Sequence, residues 1–241
     1  IVLYLDLELS DKQFERRYSE EFENHFVFNE NLIRVDFSDN FSIPEGKSYD
    51  DYFIESLVKL VETTGARVVV IDNMTKLISA DTDSAQKAKP LMDRLCALKK
   101  ERGLTLILLE HTRKSDDSRP ISLNNLQGSK MKANFADAVF AIGRSAKDPN
   151  LRYLKQLKVR SCELEYGPDN VLVYELRKDR NFLGFHFRGY GSENDHLRQV
   201  SDDDRENRRQ TAQSLREQGL SNRAIARELG VSEGAVRKWL K

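Results

Sequence analysis

Hydrophobic and polar positions follow two different periods along the first 110 residues. Short apolar runs bounded by polar or glycine positions predict strands at 1–7, 32–37, 67–71 and 104–109. Longer stretches with an apolar residue every three to four positions predict helices at 11–23, 49–64 and 84–102. The order β-α-β-α-β-α-β predicts an α/β fold with a parallel sheet and right-handed crossovers. The run RVVVI at 67–71 is typical of a central strand that is covered on both faces.

The pattern changes after residue 112. Residues 113–135 are polar and predict long loops around short elements. Four alternating segments follow at 138–142, 153–160, 171–177 and 184–188, and two of the gaps between them contain the turn sequences YGPDN and RKDRN. They predict an antiparallel meander at the edge of the sheet. We expect a main domain at 1–190, a polar linker at 191–207 and a small helical unit at 208–241.

The composition narrows the class of protein. With 39 basic and 39 acidic residues and 39% hydrophobic residues, the chain is typical of a soluble globular protein and not of a disordered one. No apolar run approaches the ~18 residues of a membrane helix, and no signal pattern is present. The two cysteines, Cys96 and Cys162, cannot build a disulfide framework, so we expect a cytoplasmic protein. The chain opens with Ile1 inside an apolar run, which predicts a fragment without its upstream residues.

Charge is distributed unevenly along the chain. Residues 208–241 contain eight Lys or Arg and three Asp or Glu, a net charge of +5. A basic tail on a mildly acidic body indicates a nucleic-acid partner, and a merely solvated basic surface is the alternative.

Polar residues follow three of the predicted strands, and ligands of parallel α/β sheets bind at this edge. They are Asp6 and Glu8 after the first strand, Asp72 and Asn73 after RVVVI, and Glu110 and His111 after LTLILL. Four apolar residues followed by Asp form the Walker B arrangement, in which the carboxylate holds Mg²⁺ through water. Many α/β strands end in Asp, so this signal alone is weak.

The combination of motifs is more specific. In order, LDLELSDKQ, VVVIDN, LILLEHTRK and RPISLNNLQGSKMKANFADAVFAIGR resemble the RecA-like ATPase core of hexameric replicative helicases and of plasmid RepA-type ATPases. The resemblance covers roughly residues 1–190. The matching positions are Glu8, Ser10, Gln13, Asp72, His111, Arg119, Pro120, Gly128, Ser129, Ala136 and Asp137.

The resemblance implies a Mg²⁺-dependent ATPase. Glu8 would orient the attacking water, Asp72 would be the carboxylate on the Mg²⁺ side, and His111 would be a sensor between the γ-phosphate and the DNA-binding loops. Lys158 and Arg160 in LKQLKVRS match a Lys-x-Arg pair that reaches the nucleotide of a neighbouring subunit. This implies a homo-oligomer, which would be a ring such as a hexamer, or a filament. Each position has an alternative interpretation. Glu8 would be a surface acid at a strand end, His111 a structural histidine, and Lys158 and Arg160 exposed basic residues of an edge strand.

The sequence lacks one motif of the family. A P-loop, G-x-x-x-x-G-K-[S/T], should precede the first strand by one helix, and no such segment occurs in the 241 residues. The P-loop either lies upstream of Ile1 or is missing from the protein. If it is missing, the chain is a degenerate relative of the family. Without a P-loop, ATP binding would be severely weakened, because this loop supplies most phosphate contacts.

The segment SNRAIARELGVSEGAVRKWLK fits the spacing of a helix-turn-helix. Gly230 is expected in the turn, Ala226 at the crossing of the two helices, and Ser221 and Ser232 as N-caps. Residues 211–218 would form a supporting first helix. The predicted core residues are Ile225, Leu229, Val231, Val236 and Trp239.

This segment resembles the DNA-binding ends of site-specific recombinases and of small regulators. The resemblance implies that helix 233–240 lies in the major groove, with Glu233, Arg237 and Lys238 presented to the DNA. Arg223 and Arg227 would contact phosphates. A helical hairpin for protein contacts is the alternative.

Two functions from different classes follow. The first is an ATP-driven, DNA-associated motor or replication-type ATPase that works as an oligomer and is tethered to DNA by its tail. The second is a DNA-binding regulator whose RecA-like body serves only oligomerisation.

Overall fold

The computed structural model describes residues 1–36, 43–77, 85–112, 117–126, 131–199 and 202–240. The strands are β1 (Val2–Asp6), β2 (Ser19–Glu20), β3 (Asn24–His25), β4 (Leu32–Asp36), β5 (Val68–Asp72), β6 (Thr105–Leu108), β7 (Ala138–Arg144), β8 (Leu151–Val159), β9 (Val171–Asp179) and β10 (Phe182–Gly191). The α-helices are α1 (Asp11–Arg17), α2 (Tyr49–Thr64), α3 (Met74–Leu77), α4 (Ala85–Arg102), α5 (Met131–Phe135), α6 (Asp202–Glu217), α7 (Asn222–Glu228) and α8 (Glu233–Trp239). Short 3₁₀ helices lie at Leu123–Asn125 and Glu193–His196.

The first half of the chain forms the predicted parallel sheet, with strand order β4-β1-β5-β6. Its register places Asp6 beside Asp72, so the carboxyl ends of β1 and β5 are level. Helix α2 has the predicted bounds because Ser48 caps its first turn and Gly65 ends it in the left-handed conformation at φ 68°. The α/β fold class with its parallel sheet is confirmed.

The core of this sheet lies on one face. Leu3, Leu5, Val69 and Ile71 alternate along β1 and β5 and are buried in one apolar cluster with side chains of α2 and α4. The intervening side chains of the two strands, such as Val70, stay partly exposed in the described structure. In the described residues α2 and α4 pack on one face of β5, and the other face of RVVVI is only partly covered.

The second half forms an antiparallel sheet of its own, with strand order β10-β9-β8-β7. The meander is present as predicted. In the described residues its strands pair with one another and not with the edge of the parallel sheet. One face buries Tyr153, Val171 and Val173 against Ile121. The opposite face leaves Phe140 and other large apolar side chains exposed.

The first helix is shorter than its sequence suggests. It was expected at 11–23, but α1 ends at Arg17 and the chain enters the small β2–β3 hairpin, in which Glu21 and Phe22 have positive φ. The physical reason is an aromatic cluster that continued helix would break. Its rings are Phe14, Tyr18, Phe26, Phe28 and Phe182, with centroids 4.5 to 6.5 Å apart in the pairs that touch.

The C-terminal unit consists of α6, α7 and α8 around a small core of its own. Ala212, Ile225, Ala226 and Val236 are buried there, and the other predicted core residues pack against them. Ser221 accepts a hydrogen bond from the amide of Ala224, and Ser232 from that of Ala235, so both predicted N-caps are confirmed. Gly230 has φ 63°, the left-handed conformation that the turn requires.

The net charge of this unit depends on the residue at which it begins. Helix α6 starts at Asp202, inside the segment expected to be a linker and ahead of the helix expected at 211–218. Residues 202–241 contain nine Lys or Arg and seven Asp or Glu, a net charge of +2 in place of +5. Four of the seven acidic residues are Asp202, Asp203, Asp204 and Glu206. Of the nine basic residues, four are in α6, two in α7 and two in α8, and Lys241 ends the chain. No helix in the described part of the chain has both the length and the apolar character that a bilayer span requires.

Candidate functional site

The three predicted strand-end residues Glu8, Asp72 and His111 lie at one edge of the parallel sheet, because β1, β5 and β6 run in the same direction. After β1 the chain is turned by Asp6, which is buried. Its carboxylate accepts hydrogen bonds from the amides of Glu8 and Leu9, at 3.3 and 2.9 Å. Arg34 donates to the same carboxylate from Nε, at 2.9 Å. Asp6 therefore acts within the loop that presents Glu8.

Glu8 and His111 meet across the side chain of Asn73. The amide nitrogen of Asn73 donates to Oε2 of Glu8 and lies 3.0 Å from Nε2 of His111. Nε2 of His111 is 3.4 Å from Oε2 of Glu8. The Glu8 and His111 side chains are 44% and 54% exposed, whereas Asn73 is buried. A carboxylate and an imidazole are thus held together at a rim that a ligand can reach.

Further hydrogen bonds and an ion pair connect Asn73 to Thr75, Glu110 and Lys132. The side-chain oxygen of Asn73 accepts from the amide of Thr75 at 3.0 Å, and the Thr75 hydroxyl donates to Glu110 at 3.3 Å. Lys132 of α5 binds the same Glu110 carboxylate at 2.7 Å in a largely buried ion pair. The rim is therefore connected through β6 to helix α5.

Asp72 lies beside this group and has a different partner. The hydroxyl of Tyr4, on the neighbouring strand, donates to Oδ2 of Asp72 at 2.5 Å. Burial and, next, this carboxylate raise the pKa of Tyr4 well above its usual value, so Tyr4 remains a donor. No cluster of three metal-binding side chains occurs in the described residues. One carboxylate is nevertheless sufficient for Mg²⁺, which takes its other ligands from water and phosphate.

Lys158 and Arg160 contact helix α5. Lys158 donates from Nζ to the carbonyl of Ala133 at 2.6 Å, and Arg160 donates to the carbonyl of Asn134. Both contacts satisfy carbonyl groups near the end of α5, a favourable place for cations. Arg160 also lies 3.3 Å from Asp137. Lys99 donates to Asp137 at 2.5 Å, and this bond, more than Arg160, lowers the pKa of the Asp137 carboxyl.

The remaining family positions have local roles or lie outside the described residues. Ser10 and Gln13 form a capping box at the start of α1, each accepting from the amide of the other. Arg119 and Pro120 are exposed in the loop before the Leu123–Asn125 turn. Gly128 and Ser129 lie outside the described residues.

The predicted DNA contacts lie on the two helices of the turn motif. Arg223 and Arg227 of α7 and Lys238 of α8 are exposed. Arg237 is 66% exposed and forms an ion pair with Glu233, one turn earlier, at 2.7 Å. Exposed pairs of this kind contribute about 0.5 kcal/mol, so Arg237 can exchange this partner for a base or a phosphate at little cost.

Asn73, Tyr4 and the Thr75–Glu110–Lys132 row are site residues to which the sequence prediction gave no role. Asn73 stands directly after the Walker B carboxylate at the end of a central strand, and this position is the signal that could have identified it. The contacts of Tyr4 and Lys132 depend on strand register and on the packing of α5, which a sequence pattern does not contain.

Comparisons with known proteins give similarities for both parts of the chain. Residues 1–117 match the family described as AAA domain, and residues 203–241 match the family described as homeodomain-like domain. A DNA helicase/primase of Enterobacteria phage T3 is 25% identical over 120 residues, which are 46% of this chain and 21% of that protein. The chain thus spans about a fifth of the length of this relative.

A solved structure shares the fold. A KaiC-like protein from the hyperthermophilic archaeon Pyrococcus horikoshii OT3 superimposes with a TM-score of 0.50 at 17% identity, covering 78% of this chain and 74% of that one. The chain therefore has a RecA-like fold whose first half is similar to AAA domains, followed by a C-terminal unit that is similar to homeodomain-like helix-turn-helix domains.

Proposed function

We propose that this chain is the catalytic and DNA-tethering part of a replication-type ATPase that hydrolyses ATP with Mg²⁺ as a homo-oligomer. The observation that carries the proposal is the convergence of Glu8, Asp72 and His111 at the carboxyl ends of three adjacent parallel strands. The match to the helicase/primase of phage T3 supports a replication context. We place the main domain at 1–190 and the DNA-binding unit after the linker.

In the proposed reaction Glu8 orients the attacking water. Phosphoryl transfer needs a water molecule held in line with the γ-phosphate and little covalent help from the protein. The Glu8 carboxylate is half-exposed and fixed through one oxygen by Asn73, so its other oxygen can accept a proton from that water. His111 lies within reach of the same space and would donate to a phosphate oxygen.

Asp72 would hold Mg²⁺ through water, and the ion would neutralise charge on the phosphate groups. The proposal also requires a phosphate-binding loop from a segment outside residues 1–241, because these contain no G-x-x-x-x-G-K-[S/T].

Lys158 and Arg160 are proposed to act on the nucleotide of a neighbouring subunit. Arg160 is half-exposed and would exchange its contacts at the end of α5 for a phosphate.

The DNA-binding half of the proposal can be tested on the chain as it stands. Fluorescence anisotropy with labelled duplex DNA should show binding that weakens steeply with salt, because phosphate contacts release counterions. The double variant Arg237→Ala, Lys238→Ala should lose about 1–3 kcal/mol of binding free energy for each good base contact. The matched control Lys12→Ala, Lys100→Ala removes two exposed charges from the main domain and should bind as the wild type does.

No binding at low salt, or equal binding by both double variants, would contradict a DNA-binding role for α8. The unit would then be a hairpin for protein contacts.

The hydrolysis half is tested in a protein in which a P-loop segment precedes Ile1. There Glu8→Gln should abolish turnover and leave nucleotide binding largely intact, since a water-orienting base acts on chemistry and not on ground-state contacts. Turnover near that of the wild type would exclude Glu8 as the base. A reading frame without a P-loop upstream of Ile1 would favour the DNA-binding regulator.

Mixing tests the assembly. Arg160→Ala protein combined with Glu8→Gln protein should regain part of the ATPase activity, because mixed oligomers contain some interfaces with both functional halves. Mixed oligomers without any recovery would make Lys158 and Arg160 surface residues only.

A further inference from the structure

The orientation of the Asn73 amide is determined by its surroundings. The backbone amide of Thr75 lies 3.0 Å from one end of the Asn73 side chain, and an N–H can be accepted only by oxygen. This end is therefore Oδ1, and the other end is the NH₂ group. Asn73 is only 3% exposed, so the NH₂ group depends on the two side chains beside it for its hydrogen bonds.

Those two side chains are Glu8 and His111. One N–H of Asn73 points to Oε2 of Glu8, and the other to Nε2 of His111 at 3.0 Å. An NH₂ group only donates, so Nε2 of His111 has to accept. A ring nitrogen accepts only when it carries no proton, and the neutral ring then carries its proton on Nδ1.

We propose that Asn73 is a positioning residue that selects the Nδ1-protonated tautomer of His111 and, with the same NH₂ group, holds the Glu8 carboxylate. This inference rests on the proposed function, in which Glu8 and His111 act on one nucleotide. Nε2 of His111 cannot accept from Asn73 and donate to a phosphate oxygen at the same time. The Nδ1 proton can be donated to a phosphate oxygen directly, whereas donation from Nε2 requires the ring to release Asn73, give up its Nδ1 proton to solvent and take one from solvent on Nε2. The 54% exposure of the His111 side chain permits this exchange.

The consequence is a coupling between His111 and Glu8. When a phosphate binds Nε2 of His111, Asn73 keeps Glu8 as its acceptor and loses His111. The position of Glu8 then depends on whether His111 is engaged by the phosphate. Asn73 would thus connect detection of the phosphate to the placement of the water-orienting carboxylate.

The test measures the tautomer of His111 in the 241-residue chain without nucleotide. Long-range ¹H–¹⁵N correlation spectra of the ¹⁵N-labelled protein distinguish protonated from unprotonated ring nitrogens at about pH 8, where free histidine is neutral. The chain has four histidines, and loss of one set of signals in His111→Gln assigns His111. We expect Nδ1 to be protonated and Nε2 to be unprotonated.

Asn73→Asp is the informative variant. It keeps the shape of the side chain and replaces the NH₂ group by an acceptor, so the proton of His111 should move to Nε2. A purely structural role of Asn73 would not reverse the tautomer. Asn170→Ala, which removes an exposed amide bound to the carbonyl of Glu165, is the control and should leave His111 unchanged.

The signals of His196, which is buried against Ser145, report in every sample whether the fold is intact. If Asn73→Asp does not fold, Asn73→Ser provides the second variant, and His111 should then lose its preference for the Nδ1 proton. An Nε2-protonated ring in the wild type would overturn the inference, as would an unchanged tautomer in a folded Asn73 variant. Neither result depends on ATP hydrolysis, so failure here and failure of the proposed function are distinguishable.

Discussion

Two glutamates of this chain lie in opposite environments. Glu193 is 1% exposed, and its carboxylate accepts from the Ile121 amide at 2.8 Å, from the Tyr153 hydroxyl at 3.3 Å and from the ammonium group of Lys155. Glu8 is 44% exposed and is held through one oxygen by Asn73. Both are ionisable groups with close partners. They differ in whether a ligand could still reach them.

The difference in exposure indicates the role of each glutamate. Glu193 joins the loop at 117–126, strand β8 and the segment that leads to the C-terminal unit, and every contact it makes is internal. Glu8 keeps a lone pair toward solvent, which a group acting on water requires. We therefore expect changes at Glu193 to alter stability and changes at Glu8 to alter function.

The largest effect is expected for Glu193→Gln. The amide keeps the shape and most hydrogen bonds but leaves the Lys155 ammonium group buried without a counter-charge. Breaking such a pair costs about 3–5 kcal/mol of the free energy of unfolding. Urea denaturation followed by circular dichroism measures it, with the exposed Glu101→Gln as the control. Equal stability of the two variants would show that the pair is solvated.

A smaller effect is expected for Tyr153→Phe. The substitution removes the hydroxyl that donates to Glu193 and keeps the ring. The loss should be about 1 kcal/mol, the typical net contribution of one hydrogen bond. Tyr190→Phe, on a ring that is largely exposed, is the matched control. A loss as large as that of Glu193→Gln would mean that the hydroxyl, and not Lys155, is the main partner.

The pH dependence of stability is expected to report on the same buried region. Burial lowers the pKa of His196, and nearby Lys147 lowers it further, so the folded state favours the neutral ring. Below the usual histidine pKa of about 6.5, the unfolded chain binds a proton that the folded chain does not. The free energy of unfolding therefore decreases as the pH is lowered. The loss is complete below the lowered pKa of the folded state.

His196→Asn should remove this part of the pH dependence and can keep a hydrogen bond to Ser145. Urea denaturation at about pH 7.5 and pH 5.5 measures the change, over the interval in which free histidine titrates. The exposed His25→Asn is the control. The same loss of stability in His196→Asn and in the wild type would assign the acid sensitivity to other groups.

The smallest effect on stability is expected for Glu8→Gln. The side chain is half-exposed, and such surface substitutions change the free energy of unfolding by about 0.5 kcal/mol or less. The same denaturation experiment, run beside Glu193→Gln, compares the two glutamates directly. A loss of several kcal/mol at Glu8 would contradict the contrast and make the strand-end group structural.

Much of the fold could be predicted because local rules decide it. The period of the apolar residues defined α2 and α4, and Gly65 and Gly230 marked turns that need a positive φ. Ser221 and Ser232 cap their helices through contacts within three residues. The edge of the sheet that holds Glu8 and His111 followed from the direction of parallel strands. Each of these features depends on near neighbours or on one topological rule.

Only the tertiary structure decided the rest, because the partners are distant in sequence. Tyr18, which follows the last residue of α1, packs with Phe182, more than 160 residues away. Lys155 and the amide of Ile121 both meet Glu193, which lies 38 and 72 residues further along the chain. Asn73 bridges Glu8 and His111 because the three strands align in register. By itself, the sequence determined which chemical groups reach the rim, whereas packing in three dimensions determined which of them touch.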